Sequence, residues 1–310
     1  MEVVVAGPSE LGDYIGLWHA VWPQRPRVHD EMLRDLTELP FAYRPALWLA
    51  VEGETLLGYA EASRMPGTKA AWSVEVGVIA GQRGRGIGDA LHRAVDDYLR
   101  GERVNERFAR VSEVDPESLA FAERRGYDER KRDFESQLDP QTVPDELLDA
   151  WCAPIPEVEI VPMAGLDSRE FRQRLLALFE TLREDVPRAT IPEPIGFEFF
   201  DQHVVGDPDF RWHGSFLAMN RGRMIGMTAN FEGDGPEFVD QWITGVLREW
   251  RRQGIARCLK AHSVRWSKAN GVRTIRTDND SQNAGMLAIN DELGFVRKVG
   301  LVTMGRSEVA

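Results

Sequence analysis

The chain is 310 residues long, room for two domains that each bury their own core. Its formal charge of −12 argues against the basic face that a phosphate backbone or an anionic membrane requires, so neither nucleic acid nor membrane is expected as partner, and a cationic or amine ligand suits its field. Residues 1–10 place no basic stretch before an apolar one, and no run reaches the roughly 18 apolar residues of a membrane helix. Cys152 and Cys258 lack metal-ligand spacing and read as buried small hydrophobes, so the expectation is a cytoplasmic protein in a reducing compartment.

In chain order, residues 2–5 pattern as a short strand, 11–22 and 29–39 as helices, and 47–51, 56–62 and 72–79 as apolar strands. A helix follows over 86–99 and a strand over 108–111. Another helix opens at Asp115-Pro116 and stops at Gly126, with the acid as cap, the proline as first residue and the glycine as terminator. Residues 141–156, holding Pro144, Pro154 and Pro156 with Pro140 just before, read as a semi-stiff linker. Beyond it come a strand near Val158, helices over 168–183 and 194–203, strands around Phe216, Met224 and Trp242, a helix over 254–270, a strand over 274–277 and a helix over 283–293. The expected domains are 1–140 and 157–310, both mixed α/β with hairpin strands first and a strand-helix-strand-helix unit after.

The two halves repeat each other. Arg83 and Arg251 stand 168 residues apart, and the same offset pairs Gly77 with Gly245, Val78 with Val246, Gly86 with Gly254, Leu91 with Leu259 and Gly126-Tyr127 with Gly294-Phe295. One offset serving separate motifs implies one fold duplicated.

At both repeats an apolar strand runs into Arg-x-x-Gly-x-Gly/Ala: Arg83, Gly86 and Gly88 in the first half, Arg251, Gly254 and Ala256 in the second. Small residues let backbone approach a ligand, and the free N–H groups of the following helix's first turn make an anion site suited to a pyrophosphate. The glycines alone are equally compatible with a tight turn. A P-loop is excluded by the missing lysine, and a dinucleotide fingerprint by Asp89 and Arg257 where a third glycine belongs.

The order strand, Arg-x-x-Gly-x-Gly/Ala, helix, strand, helix, Gly-Phe/Tyr resembles the GNAT superfamily of acetyl-CoA-dependent N-acetyltransferases, over most of the chain. The second half is similar to the form found in bacterial tandem GNAT proteins. It carries Thr244-Gly245-Val246, Gly254-Ile255-Ala256, Leu259-Lys260, Thr277-Asp278-Asn279, Asn283, Met286-Leu287, Ile289-Asn290 and Leu293-Gly294-Phe295. The resemblance implies two tandem domains, each a twisted mixed sheet flanked by helices, with acetyl-CoA as cofactor and no metal. It also implies that Thr244, Gly245 and Val246, and equivalently Val76, Gly77 and Val78, bind the thioester carbonyl and pantetheine through backbone groups. The amides of Arg252, Gln253, Gly254, Ile255, Ala256 and Arg257 after Arg251, or of Gly84, Arg85, Gly86, Ile87, Gly88 and Asp89 after Arg83, would hold the pyrophosphate. Asn279 and Asn283 would line the pantetheine, where the first half has Val111 and Asp115; Asn283 reads equally as a helix cap.

Direct acyl transfer asks for a base to take the ammonium proton and an acid for the departing thiolate. The family's carboxylate position falls on Gln241 and Ser73, so the nearby carboxylates are Asp240, Glu237 and Glu75, of which Asp240 is the expected base. The family's tyrosine acid position holds Asn290 and Ala122, and Asn290 can hydrogen-bond sulfur or order a water but cannot give up a proton. His203, His213, Trp212 and Arg188 read as packing or surface. The fuller motif set puts the expected chemistry in the second half, while the first either binds acetyl-CoA too or is a remnant that shapes the pocket. The expected function is N-acetylation of a primary amine of a small molecule or peptide, in resistance or specialised metabolism, by a monomer or homodimer. The alternatives are a catalytically silent CoA-binding or scaffold protein and a protein N-acetyltransferase.

Overall fold

A computed structural model of the chain describes residues 1–23, 27–65, 68, 71–186 and 193–307. Contacts divide it into two units: Met1–Lys131 with Ala189–Glu193 and Leu301–Ala310, and Arg132–Arg188 with Pro194–Gly300.

In the first unit, β1 (Glu2–Ala6), α1 (Leu11–Val21), α2 (His29–Thr37), β2 (Ala46–Glu52), β3 (Thr55–Arg64) and β4 (Ala71–Val78) lead into α3 (Ile87–Gly101), β5 (Glu106–Ser112) and α4 (Pro116–Glu123). The strands β1 to β4 are antiparallel neighbours, and β4 and β5 are parallel. Alternating burial along the strands supplies two apolar faces. One packs Leu57, Trp72 and Val74 against Ile87, Leu91, Val95 and Leu99 of α3, and the other packs Leu47, Leu49 and Tyr59 against Leu11, Tyr14 and Trp18 of α1. The start of α4 obeys its local signals, with Asp115 Oδ1 accepting from Ser118 N at 3.0 Å and Pro116 in the first turn.

β6 (Asp128–Leu138) carries the chain into the second unit, where α5 (Asp145–Trp151), β7 (Glu159–Pro162), α6 (Arg169–Arg183), α7 (Phe197–His203), β8 (Phe216–Asn220), β9 (Arg223–Glu232) and β10 (Phe238–Val246) precede α8 (Ile255–Ala269), β11 (Thr274–Asp280), α9 (Ala284–Leu293) and β12 (Val296–Ser307). β7 to β10 are antiparallel neighbours and β10 and β11 are parallel, repeating the first unit. The outer side of β11 pairs with residues 133–138 of β6, whereas residues 301–307 of β12 pair with β5 of the first unit. Each unit's sheet is therefore completed by a strand that sequence order alone assigns to the other half. Contacts draw the boundary after Lys131 rather than near residue 140.

Residues 141–156, expected as a linker, hold α5, whose Leu148 and Trp151 are buried in a core with Val264 of α8 and Leu293 of α9. The prolines bracket this helix: Pro144 is its N-cap, and Pro154 and Pro156 follow its end. Among the described residues no helix is long and apolar enough to cross a membrane.

Candidate cofactor clefts and catalytic groups

In the first unit, pairing of β4 with β5 ends at Val74 and Ala109. Past that point lies a cavity of about 1060 Å³, lined by Glu75 to Val78, the glycine loop, α4 and the end of β5. Gly84 and Gly86 adopt left-handed φ of +76° and +79°, and a Cβ at either would meet nothing within 4 Å. Gly88 is small for another reason, since a Cβ there would lie 2.9 Å from the Phe121 ring. Among the described residues the N–H groups of residues 84–89 have no protein acceptor. Successive amides turned by two left-handed residues at a helix N-terminus form an anion cradle. Arg83 bonds Asp115 at 3.0 Å and Asp89 pairs with Arg125, tying the loop to α4 at both ends.

The second unit repeats the device with different residues. Gly254 has φ +83°, and Arg252, where the first loop has Gly84, takes the left-handed φ of +58° that costs a side-chain-bearing residue about 1–2 kcal/mol. The N–H groups of residues 252–257 likewise lack protein acceptors among the described residues. Arg251 donates from Nε to the Val246 carbonyl at 3.0 Å and pairs with Asp185, and Arg257 pairs with Glu292. The charges of the Asp89–Arg125 pair are thus exchanged. Strand pairing ends at Asp240 and Arg276, and β10 is bulged against β9 between Gln241 and Ile243.

Both loops fit a pyrophosphate, and in the first unit the cavity beside the strand end fits the pantetheine arm of acetyl-CoA. Residues 76–78 line the first cavity. Gly77 and Gly245 also answer to packing, because a Cβ would meet the Tyr59 ring at 2.2 Å or Leu182 at 3.1 Å. The Thr244 hydroxyl lies 2.8 Å from Thr228 Oγ1.

The side chains chosen for chemistry in the second unit are otherwise engaged. Asp240 sits where β10 and β11 are still paired, with Oδ1 accepting from Arg276 Nε at 2.6 Å and Oδ2 from its terminal nitrogen at 2.9 Å. A base there must break a bidentate ion pair, so the expected role is withdrawn. Asn290, 2% exposed, donates to Asn279 Oδ1 at 2.8 Å, and Asn279 donates to the Thr277 carbonyl at 3.2 Å and to Ser136 of β6 at 3.4 Å. These carboxamides fasten α9 to β11 and β6, while the Asn290 Oδ1 is buried without a hydrogen-bond partner. Asn283 caps α9, accepting from Met286 N at 3.3 Å.

Gln241 accepts from the Nζ of Lys260, which is 1% exposed and lies 4.9 Å from the Phe295 ring centre. Burial without an acidic partner pushes this amine down to about 7. Lys260 answers, at the 168-residue offset, to His92 in the first unit. Of the remaining candidates, Trp212 and His203 pack on Phe210 and Phe199 at 5.0 Å each, and Arg188 lies outside the described residues.

The first unit holds a catalytic candidate that sequence reasoning named and passed over. Glu75 lines the cavity on β4, accepts from Trp22 Nε1 at 2.8 Å and stands opposite Glu61 of β3. Burial, then repulsion from Glu61, raises its carboxyl to about 7, against the pull of Arg27 and the Trp22 bond. His92 faces the same cavity from α3, its Nδ1 3.4 Å from Asp96 and its ring edge-on to Phe121 and Tyr127; desolvation lowers its pKa. The second unit has Ile243 where the first has Glu75. No residue spacing signals this difference, because the partners of Glu75 are Trp22, just past the end of α1, and Glu61 of β3.

Residues 14–127 and 175–295 each match the Acetyltransferase (GNAT) family. No curated protein matches the chain. Among solved structures it is similar to a GCN5-related N-acetyltransferase from Sphaerobacter thermophilus, at 18% identity and a TM-score of 0.74 over 99% of this chain and 95% of that one. A tandem GNAT protein from the clavulanic acid biosynthesis pathway aligns at 22% identity and a TM-score of 0.75 over 99% and 98%. The GCN5-related glucosamine N-acetyltransferase region of a fungal multi-domain GH3 β-N-acetylglucosaminidase aligns at 14% identity and 0.74 over 98% and 38%. At these identities the likeness is one of fold, and the two family matches carry the assignment. With the family's glycine loop and parted strands present twice, the chain belongs to the Acetyltransferase (GNAT) family as a tandem protein, an acyltransferase that uses acetyl-CoA.

Proposed function

We propose that the protein moves the acetyl group of acetyl-CoA directly to a primary amine of a small molecule or peptide, that the first unit's cleft is where this happens, and that Glu75 is the general base. This reverses the sequence expectation that the second half works. The observation that carries it is a half-buried carboxylate poised near neutrality in the same cavity as an unpartnered anion cradle. Acetyl-CoA supplies an acyl group activated as a thioester. The amides of residues 84–89 hold its pyrophosphate, and the β4 backbone from Val76 to Val78 positions and polarises the carbonyl. Glu75 takes the proton of the incoming ammonium. No covalent enzyme intermediate is needed.

A different reading suits the second unit: a cofactor-binding but silent domain, favoured by Ile243 at the place of Glu75 and by Lys260 held on Gln241. A cytoplasmic enzyme of resistance or specialised metabolism, acting as monomer or homodimer, agrees with the reduced cysteines and the acidic charge. Thiol release from acetyl-CoA against a panel of amines tests the proposal. Transfer to at least one amine supports it, whereas acetyl-CoA binding without transfer to any amine points to a silent protein.

A further inference from the structure

We propose that Cys152, Cys258 and His262 form a binding site in the second unit for a thiophilic divalent cation, with zinc the ion whose ligand preferences fit. Cys258 and His262 are four residues apart on α8 and so share one face. Cys152 is the C-cap of α5, which lies against α8. The two Sγ atoms and an imidazole nitrogen all lie within 4.8 Å of one another. Tetrahedral zinc, with bonds of about 2.3 Å to sulfur and 2.0 Å to nitrogen, separates its ligand atoms by roughly 3.5–3.8 Å, so closure asks for a movement of about 1 Å or less.

The elements are already fixed relative to each other. Lys268 of α8 donates to Asp145 at 2.6 Å and to the Val143 carbonyl at 2.9 Å, Arg265 pairs with Asp149, and Leu148 and Trp151 are buried with Ala261 and Val264. The His262 ring rests on Phe216, centroids 5.5 Å apart. Cys258 is buried while Cys152 and His262 are partly exposed, which leaves the fourth coordination position to water. At the 168-residue offset the first unit has Ala90 and Ala94 in place of Cys258 and His262, so the duplicated fold does not require these residues. Under this proposal the two cysteines are ligands and not merely small hydrophobes. An ion here clamps α5 to the first turns of α8, just behind the anion loop.

The reduced full-length protein, stripped with a chelator, is titrated with zinc against a chromophoric competitor and separately with cobalt followed by absorbance. One ion per chain, a thiolate-to-cobalt charge-transfer band and tetrahedral d–d intensity are expected, with zinc raising the thermal midpoint. Cys258→Ser and His262→Ala each lose about a hundredfold or more in affinity. Should Cys258→Ser fail to fold, the partly exposed Cys152→Ser carries the same comparison, and the cobalt spectrum of the parent stands on its own. Absence of saturable uptake, a cobalt adduct without the thiolate band, or undiminished uptake by these variants overturns the site. So does a reduced protein that takes up no ion and forms only an internal disulfide on air oxidation.

Discussion

Replacing Glu75 by Gln keeps the shape of the β4 side chain and its capacity to accept from Trp22 Nε1, but removes its capacity to take up a proton. General-base assistance contributes about 10²–10⁴ in rate, or roughly 3–5 kcal/mol of barrier, so kcat/KM for the amine falls by that factor. In the parent, kcat/KM for the amine climbs as Glu75 ionises, with an acid limb centred at about 7. In the variant that limb disappears. Acetyl-CoA affinity, which rests on backbone amides, stays within about threefold. Stability provides a second readout. The folded carboxyl titrates at about 7 rather than 4.5, so the native state binds the extra proton between those values and its stability falls as pH rises through that window. At pH 8 the Gln variant is therefore the more stable protein, by up to about 3 kcal/mol; at pH 4 the two are alike. Steady-state kinetics from pH 5.5 to 9 and thermal unfolding at both pH values decide the matter. Activity within tenfold of the parent with the acid limb still in place refutes the assignment, as does a loss accompanied by an equal loss of acetyl-CoA binding.

Trp22→Phe removes a donor to the charged form of Glu75, and a hydrogen bond to a charged group is worth about 1.5–3 kcal/mol, so the acid limb moves up by about one pH unit or more. An unmoved limb shows that the indole does not tune the carboxylate. Lys260→Met leaves turnover intact and changes the pH dependence of unfolding. The buried amine titrates at about 7 instead of 10.5, so parental stability rises with pH between those values, by up to about 5 kcal/mol, whereas the Met variant is flat there. Asn290→Ala strands the Asn279 carbonyl and costs about 1–3 kcal/mol in denaturant unfolding with kcat unchanged; a kcat loss without destabilisation restores a chemical role to Asn290.

What was legible in the sequence was local or repeated. The Asp115-Pro116 start, Asn283 as cap, the glycines of the two loops and the free amides behind them each depend on a few neighbouring residues. The constant offset between the halves fixed the duplication. What was not legible depends on partners far along the chain. Asp240 looked free because Arg276 is 36 residues away on the neighbouring strand, and Asn290 looked available to sulfur or a water because Asn279 sits on another element. Glu75 was one carboxylate among several until Trp22, 53 residues earlier, and Glu61 gave it a raised pKa. The prolines around residues 141–156 suggested a linker because proline marks helix starts and ends as well as stiff extended chain, and only the packing of Leu148 and Trp151 distinguishes the two. The exchange of β6 and β12 between units leaves no periodic signature at all.

The most direct test of unequal halves is to place a carboxylate in each anion cradle in turn, where the added charge repels the pyrophosphate. With fold verified by circular dichroism, acetyl-CoA-dependent thiol release is measured for Gly86→Glu and Gly254→Glu. The first-unit assignment predicts that Gly86→Glu abolishes turnover while Gly254→Glu retains it. Turnover surviving Gly86→Glu and lost in Gly254→Glu contradicts it.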